Sequence, residues 1–130
     1  MAVWWTFRCY LTPTGVDVID EWYQGQPEQL QAKFDTRLRY LQQQPRSAWK
    51  RPYFDTLGDE CAGLGEIRFE WRNVQYRPIG FASGALEFTL VMIAIERGGK
   101  FEPRSTCQIA QSRKAELIAD RSRARDCEFD

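Results

Sequence analysis

The stretch GLGEIRFEWRNVQYRPIGF, residues 63–81, constrains the fold more than any other part of the chain. Ile67, Phe69 and Trp71 alternate with Glu66, Arg68, Glu70 and Arg72. Period-two alternation of this kind suits a strand with its apolar residues on a core and its charges facing away. Arg72-Asn73 supplies a tight turn and Gln75–Phe81 a returning strand. Leu86–Ile95, which contains the run LVMIAI, makes a third strand, reached through a turn at Ser83-Gly84. A consecutive antiparallel meander is the simplest topology for these pieces. Pro78 removes one ladder hydrogen bond, so a bulge or a locally unpaired stretch is expected in the second strand.

Around this meander the chain reads as helices and one more strand. Val3–Leu11 is rich in aromatic and branched residues and predicts an opening strand. Thr14 offers a helix N-cap, after which Val16, Ile19, Trp22 and Tyr23 recur at helical spacing until Gly25. Pro27 starts a second helix whose apolar stripe is Leu30, Phe34, Leu38 and Leu41. The two helices should pair as an antiparallel hairpin. Pro45–Cys61 is irregular, and Gly98-Gly99 opens a loop. Pro103 to about Arg121 predicts a last helix that buries Ile109, Ala110, Leu117 and Ile118. Trp4, Trp5 and Trp22 are assigned to the core. The expected fold class is α+β: an N-terminal strand, a helical hairpin, a three-stranded antiparallel meander and a C-terminal helix. A single domain over residues 1–125 is expected, with 126–130 as a frayed polar tail.

Composition removes many chemistries. With 18 acidic and 18 basic residues the formal charge is zero, so any phosphate site must be local rather than a product of bulk charge. There is no histidine, which excludes Ser-His-Asp and Cys-His nucleophile systems. Cys9, Cys61, Cys107 and Cys127 form no CxxC pair, so a zinc site is not expected. The N-terminus MAVWWTFRCYL lacks the form of a secretory signal, and the thiols are read as reduced, cytosolic packing residues. The run LVMIAI is too short to cross a bilayer, and a soluble cytoplasmic protein is expected. GGK at 98–100 is not a Walker loop and no GxGxxG occurs, so no cofactor is implied.

What remains is a set of cations on the predicted sheet. Arg68 and Arg77 lie on neighbouring strands, and Lys100 and Arg104 follow the third. Taken singly they are ordinary solvent-face charges, with cross-strand Glu–Arg pairs worth about 0.2–1 kcal/mol each. Taken together they match the needs of RNA cleavage by its own 2′-hydroxyl. Cations stabilise the crowded phosphate while other groups move the protons, and Glu66 is a candidate base. Arg46, Lys50 and Arg51, in the basic-aromatic stretch RSAWKRPYF, with Arg72 and Arg104, are candidate RNA-binding residues, against the plainer reading of that stretch as a loop pinned by buried aromatics. Arg113, Arg121, Arg123 and Arg125 read as a solvated helix end or as polyanion contacts.

The element order, the run GLGEIRFEWRNVQYRPIGF and the segment LVMIAIERGGKFEPRSTCQIAQSRKAELI together resemble the RelE/ParE toxin superfamily, most closely its phage-related HigB-like branch. Members similarly carry a G-L-x-E-[IL]-R strand, a Y-R strand, a hydrophobic third strand, a basic loop with proline, and a helix with an A-x-x-R-K-like segment. Here these are Gly63 to Arg68, Tyr76-Arg77, Leu90 to Ile95, Lys100 to Pro103, and Ala110 to Lys114. The resemblance implies the toxin of a type II toxin–antitoxin system: a metal-independent endoribonuclease that cuts ribosome-bound mRNA and is silenced by a cognate antitoxin protein. It implies no membrane partner and admits a homodimer. It places Arg68 and Arg77 at phosphate-binding positions, with Lys100 or Arg104 as the basic residue of the following loop. Glu66 stands where RelE-like ribonucleases carry a lysine, and Cys107 and Gln108 occupy the region of their C-terminal tyrosine. Two other activities suit the same scaffold: ParE-like inhibition of DNA gyrase, and non-catalytic binding or regulation by a phage-derived protein.

Overall fold

The computed structural model describes residues 3–128. Strand β1 (Thr6–Tyr10) leads into helices α1 (Val18–Gln24) and α2 (Glu28–Gln42). Then come β2 (Phe54–Thr56), β3 (Gly65–Ile67), β4 (Phe69–Trp71), β5 (Val74–Gly84), β6 (Glu87–Arg97) and β7 (Lys100–Glu102). Helix α3 (Thr106–Ala119) and strand β8 (Ala124–Asp126) complete the order.

The fold is α+β, but the expected layout of one opening strand and a three-stranded meander is corrected. The strands form one eight-stranded mixed sheet along the path β2-β3-β5-β6-β1-β8, with β4 beside β5 and β7 beside β6. β1 lies parallel to β6, with Thr6 opposite Glu87 and Cys9 opposite Leu90. The strands that escaped the sequence pattern are FDT, KFE and ARD, three residues each and too short to display alternation. Only pairing to a neighbour makes them strands.

Local chemistry explains the shifted boundaries. Asp17, not Thr14, caps α1: its Oδ1 accepts from the N–H groups of Ile19 at 3.0 Å and Asp20 at 2.9 Å. The β5–β6 hairpin turns at Ala85-Leu86 rather than Ser83-Gly84, with Leu86 at φ 51°. Gly98 and Gly99, both at positive φ, do not open a loop but fold β6 back onto β7, with Arg97 opposite Lys100. Pro78 stays in register with Ile93, and the irregularity falls one step later, between Ile79 and Gly80.

Alternate residues of β1 feed two core clusters. Phe7 and Cys9 join Ile19, Leu30, Phe34, Leu38, Trp49 and Phe54 under α1 and α2. Tyr10 joins Ile79, Phe81, Val91, Ala110 and Leu117 under α3. Gly65 and Gly80 are register partners, and a Cβ on Gly65 would stand 2.4 Å from the Phe54 ring. Bare backbone there lets the aromatic layer lie directly on the sheet. Trp5 is buried as expected, whereas Trp4 and Ile118 are 60% and 71% exposed and leave the predicted core.

The cysteines are paired, which overturns their reading as reduced thiols. Cys9 bonds Cys127 and Cys61 bonds Cys107, with Cα separations of 5.2 and 4.9 Å. Sequence separations of 118 and 46 residues hid both pairs, and the topology brings them together. The C-terminal segment is correspondingly held: β8 pairs antiparallel with β1, Arg123 bonds Glu116 and Arg125 bonds Asp17. Arg121 reaches Glu87 and Arg113 donates to the Val91 carbonyl, so these arginines tie the fold rather than forming a solvated helix end. Phe129 and Asp130, part of the expected frayed tail, lie outside the described residues. No described helix is long and apolar enough to cross a membrane.

Candidate nucleic-acid interface

β3 and β4 keep one register against β5, from Gly65 opposite Gly80 to Trp71 opposite Val74, and between them the Arg68 N–H extends the pairing with β2 by donating to the Tyr53 carbonyl at 2.9 Å. The alternation therefore holds: Ile67 and Phe69 join the cluster under α1 and α2, while Glu66 takes the opposite face, which the cluster under α3 also covers. Instead of lying on the solvent face, Glu66 is 3% exposed and sits in register with Ile79. Arg77, two residues before Ile79 on β5, shares that face. Glu96 lies two residues beyond Ala94, the register partner of Arg77, and therefore projects to the same side.

These four side chains form a cluster of alternating charge. Arg77 Nε lies 2.9 Å from Glu96 Oε1 and 3.7 Å from Glu66 Oε2. Arg68 Nη1 bonds Glu66 and lies 3.9 Å from Glu96. The Arg77 fork also donates to the Tyr76 carbonyl at 2.9 Å and to Gln75 Oε1 at 3.4 Å. Burial pushes the Glu66 carboxyl above the usual glutamate range, and the hydrogen bond and charge of Arg68, with the charge of Arg77, oppose but do not cancel that shift.

Two adjoining clefts flank the cluster and share Arg51 and Arg68. The larger, about 360 Å³, is lined by Arg37, Arg51, Arg68, Phe69, Gln75 and Arg77, among others. The smaller, about 210 Å³, is lined by Arg51, Asp55, Glu66, Arg68, Glu96 and Lys100, among others. The structure therefore brings Glu66, Arg68, Arg77, Lys100 and Arg51 together. It leaves other candidates apart. Arg46 stacks 5.1 Å from the Phe54 ring centroid and lines a separate apolar pocket with Trp5, Trp49 and Phe88. Arg72 lies over Trp71 at 4.5 Å in the β4–β5 turn. Lys50 and Arg104 are exposed, and neither lines the two clefts.

Arg37 and Glu96 are cleft residues that the sequence reading missed. Glu96 was recoverable from register alone, once Arg77 had been placed opposite Ala94. Arg37 borders the apolar stripe of α2, three residues after Phe34, and its helix gave no sign of crossing toward β4. Its Nη1 donates to the Arg68 carbonyl, and its guanidinium lies 4.9 Å from the centroid of the Tyr53 ring. Burial lowers the Arg37 pKa, with the neighbouring Tyr53 and Tyr40 hydroxyls opposing. Among the described residues, no carboxylate lies within ion-pair distance of Arg37 or Lys100. Among the described residues there is also no grouping of three or more His, Cys, Asp or Glu suited to a metal ion.

Residues 21–115 match the family described as Phage derived protein Gp49-like. The chain belongs to this family. The Gp49-like family falls within the toxin–antitoxin-related RelE/HigB-like grouping. The matched segment runs from α1 into α3 and contains Arg37, Arg51, Asp55, Glu66, Arg68, Arg77, Glu96 and Lys100, the charged residues of both clefts named above. Comparison with curated proteins and with solved structures returned no match.

Proposed function

We propose that this Gp49-like chain is the toxin of a type II toxin–antitoxin pair and acts in the cytoplasm as an endoribonuclease on ribosome-bound mRNA. One observation supports the reading most directly. Two joined clefts gather a buried carboxylate, Glu66, a partly open guanidinium, Arg68, and an ammonium, Lys100, with no carboxylate partner among the described residues.

In this scheme Glu66 takes the proton of the 2′-hydroxyl, aided by the burial that raises its pKa. The 2′-oxygen attacks the adjacent phosphorus and the bond to the 5′-oxygen breaks, leaving a 2′,3′-cyclic phosphate. Arg68 stabilises the crowded anionic phosphate through its fork of donors. Lys100 gives its proton to the departing 5′-oxygen. Arg77 is a positioning residue: its donors are engaged by Glu96, Tyr76 and Gln75. It holds both carboxylates in place rather than meeting the phosphate itself. The cognate antitoxin silences the activity. Zero net charge means weak affinity for free RNA, so presentation of the message by the ribosome supplies what bulk attraction does not.

A purified translation system tests the reading. The full chain should cut a reporter mRNA on ribosomes, and Arg68→Ala and Lys100→Ala should each lose the cut. Intact mRNA combined with arrested DNA supercoiling would overturn the ribonuclease reading in favour of gyrase inhibition. Intact mRNA, normal supercoiling and harmless expression would leave a non-catalytic binding or regulatory protein.

A further inference from the structure

The cations of the two clefts are not equivalent. Arg68 and Arg77 are matched by Glu66 and Glu96, and Arg51 by Asp55 at 2.9 Å. Arg37 is half-buried and has no carboxylate within ion-pair distance among the described residues. A desolvated cation without a counter-charge is a standing place for an anion, because an arriving phosphate offsets the burial penalty and takes up open donors.

The surroundings of Arg37 narrow the anion. Its guanidinium covers Tyr53, and the Tyr53 ring lies 4.4 Å from that of Tyr40. Tyr40 follows Arg37 by three residues on α2, so the two share one side of the helix. At 37% exposure Tyr40 is, with Trp4, one of the large exposed rings among the described residues. A cation beside an exposed ring is the combination that holds single-stranded nucleic acid, the cation taking a phosphodiester and the ring a base. A duplex keeps its bases stacked on each other and cannot use the ring in this way.

We propose that Arg37, Tyr53 and Tyr40 form a second nucleotide subsite, which binds a phosphodiester of single-stranded RNA on Arg37 and stacks the neighbouring base on Tyr40. The proposal rests on the RNA-directed reading above and deepens it by giving the strand a course. Arg37 lines only the larger cleft and Lys100 only the smaller, while Arg51 and Arg68 line both. The strand therefore enters at Arg37, passes Arg51 and Arg68, and reaches Lys100. Arg37 also bonds the Arg68 carbonyl, so filling the subsite bears directly on the residue that meets the scissile phosphate.

The probe is fluorescein-labelled 2′-O-methyl hexauridylate, which cannot be cut because it lacks the attacking hydroxyl. Its anisotropy with the full chain is followed across a salt series, starting at low salt. Arg37→Gln, which keeps one donor for the Arg68 carbonyl, should weaken binding. It should also flatten the plot of log K against log salt by about 0.7, the value of one lost phosphate contact on a single strand. Tyr40→Ala should weaken binding by at least about fivefold without changing the slope, and Tyr40→Phe should bind as the parent does. Tyr40 is exposed, so its variants keep the fold, which circular dichroism checks. Unchanged affinity and slope in Arg37→Gln, or parent-like binding by Tyr40→Ala, would overturn the subsite. If that happens while ribosomal mRNA is still cut, the ribonuclease reading stands without it. If the subsite binds as described but no mRNA is cut, the subsite stands and the activity falls.

Discussion

Arg77 bridges two glutamates: its Nε lies 2.9 Å from Glu96 and 3.7 Å from Glu66, with only 3% of its side chain exposed. A buried charge is tolerable only while its partners remain, and removing one member of such a set costs about 3–5 kcal/mol. Arg77→Ala should therefore lower stability by about that much in urea unfolding. Arg77→Lys should recover only part of it, because an ammonium lacks the planar fork that reaches Glu96, Tyr76 and Gln75 together. Replacing the whole set by apolar residues of like volume should cost far less than the single change. If Arg77→Ala unfolds at the parent's urea midpoint, the arginine is not stabilising the cluster.

Glu66 sets the expected pH behaviour. Burial raises its folded pKa above the ordinary glutamate value of 4.5, with Arg68 and Arg77 only partly opposing. The folded state then holds a proton that the unfolded chain has already lost. The stability from Glu66 is fully present below 4.5 and fades as pH rises through the folded pKa. Activity moves the other way, since a base must be deprotonated. The acid limb of the cleavage profile should therefore lie above 4.5. Glu66→Gln should flatten the stability curve across this window and abolish cleavage at every pH. A variant that unfolds with the parent's pH dependence would show that Glu66 does not titrate in it.

How much of this site could be read in advance depends on where each residue's partner lies in sequence. Arg68 and Arg77 were legible because a turn at Arg72-Asn73 places their strands side by side, and the structure keeps that turn with both residues at positive φ. The helical stripe Leu30, Phe34, Leu38 and Leu41 was legible for the same reason, being a local period on one element, and all four are buried. Glu66 was misplaced because alternation assigns a face but not what covers it: the sheet carries core on both sides, and Ile79, Arg68 and Arg77 surround the carboxylate. Arg37, β8 and both disulfides depend on packing across long sequence separations, which no local pattern records. Zero net charge was equally silent, since a sum over the chain does not record which cations are paired and which, like Arg37 and Lys100, have no ion pair among the described residues.

The disulfides make a separate prediction. Intact mass of the untreated protein should fall about 4 Da below that of the fully reduced chain, one pair of hydrogens for each bond. Chain-entropy reasoning gives about 5 kcal/mol for the bond spanning 118 residues and about 4 kcal/mol for that spanning 46. Cys127→Ser paired with Cys9→Ser should therefore lower the melting temperature slightly more than the Cys61/Cys107 serine pair. The first bond fastens β8 to β1, so its loss should also speed hydrogen exchange in Ala124–Asp126. Equal masses before and after reduction would show four free thiols.

Gly80 is the position where a single methyl group should do most damage. A Cβ there would stand 2.2 Å from the Thr89 carbonyl oxygen and 2.8 Å from the Phe88 ring. The nearest obstacle is backbone of the paired strand β6, so it cannot swing aside as a flexible side-chain tip would. Gly80→Ala must therefore push β5 and β6 apart at the irregularity beside Ile79, or displace the Phe88 ring from the aromatic layer. Overpacking of this kind costs about 1–3 kcal/mol, and backbone separation in a central strand pair belongs at the upper end. Gly58→Ala is the matched control, since nothing lies within 4 Å of its added Cβ and its φ of −124° suits any residue. The control should melt at or slightly above the parent temperature, because alanine restricts the unfolded chain. A Gly80→Ala protein melting with the control would mean that the β5–β6 contact is looser than these distances require.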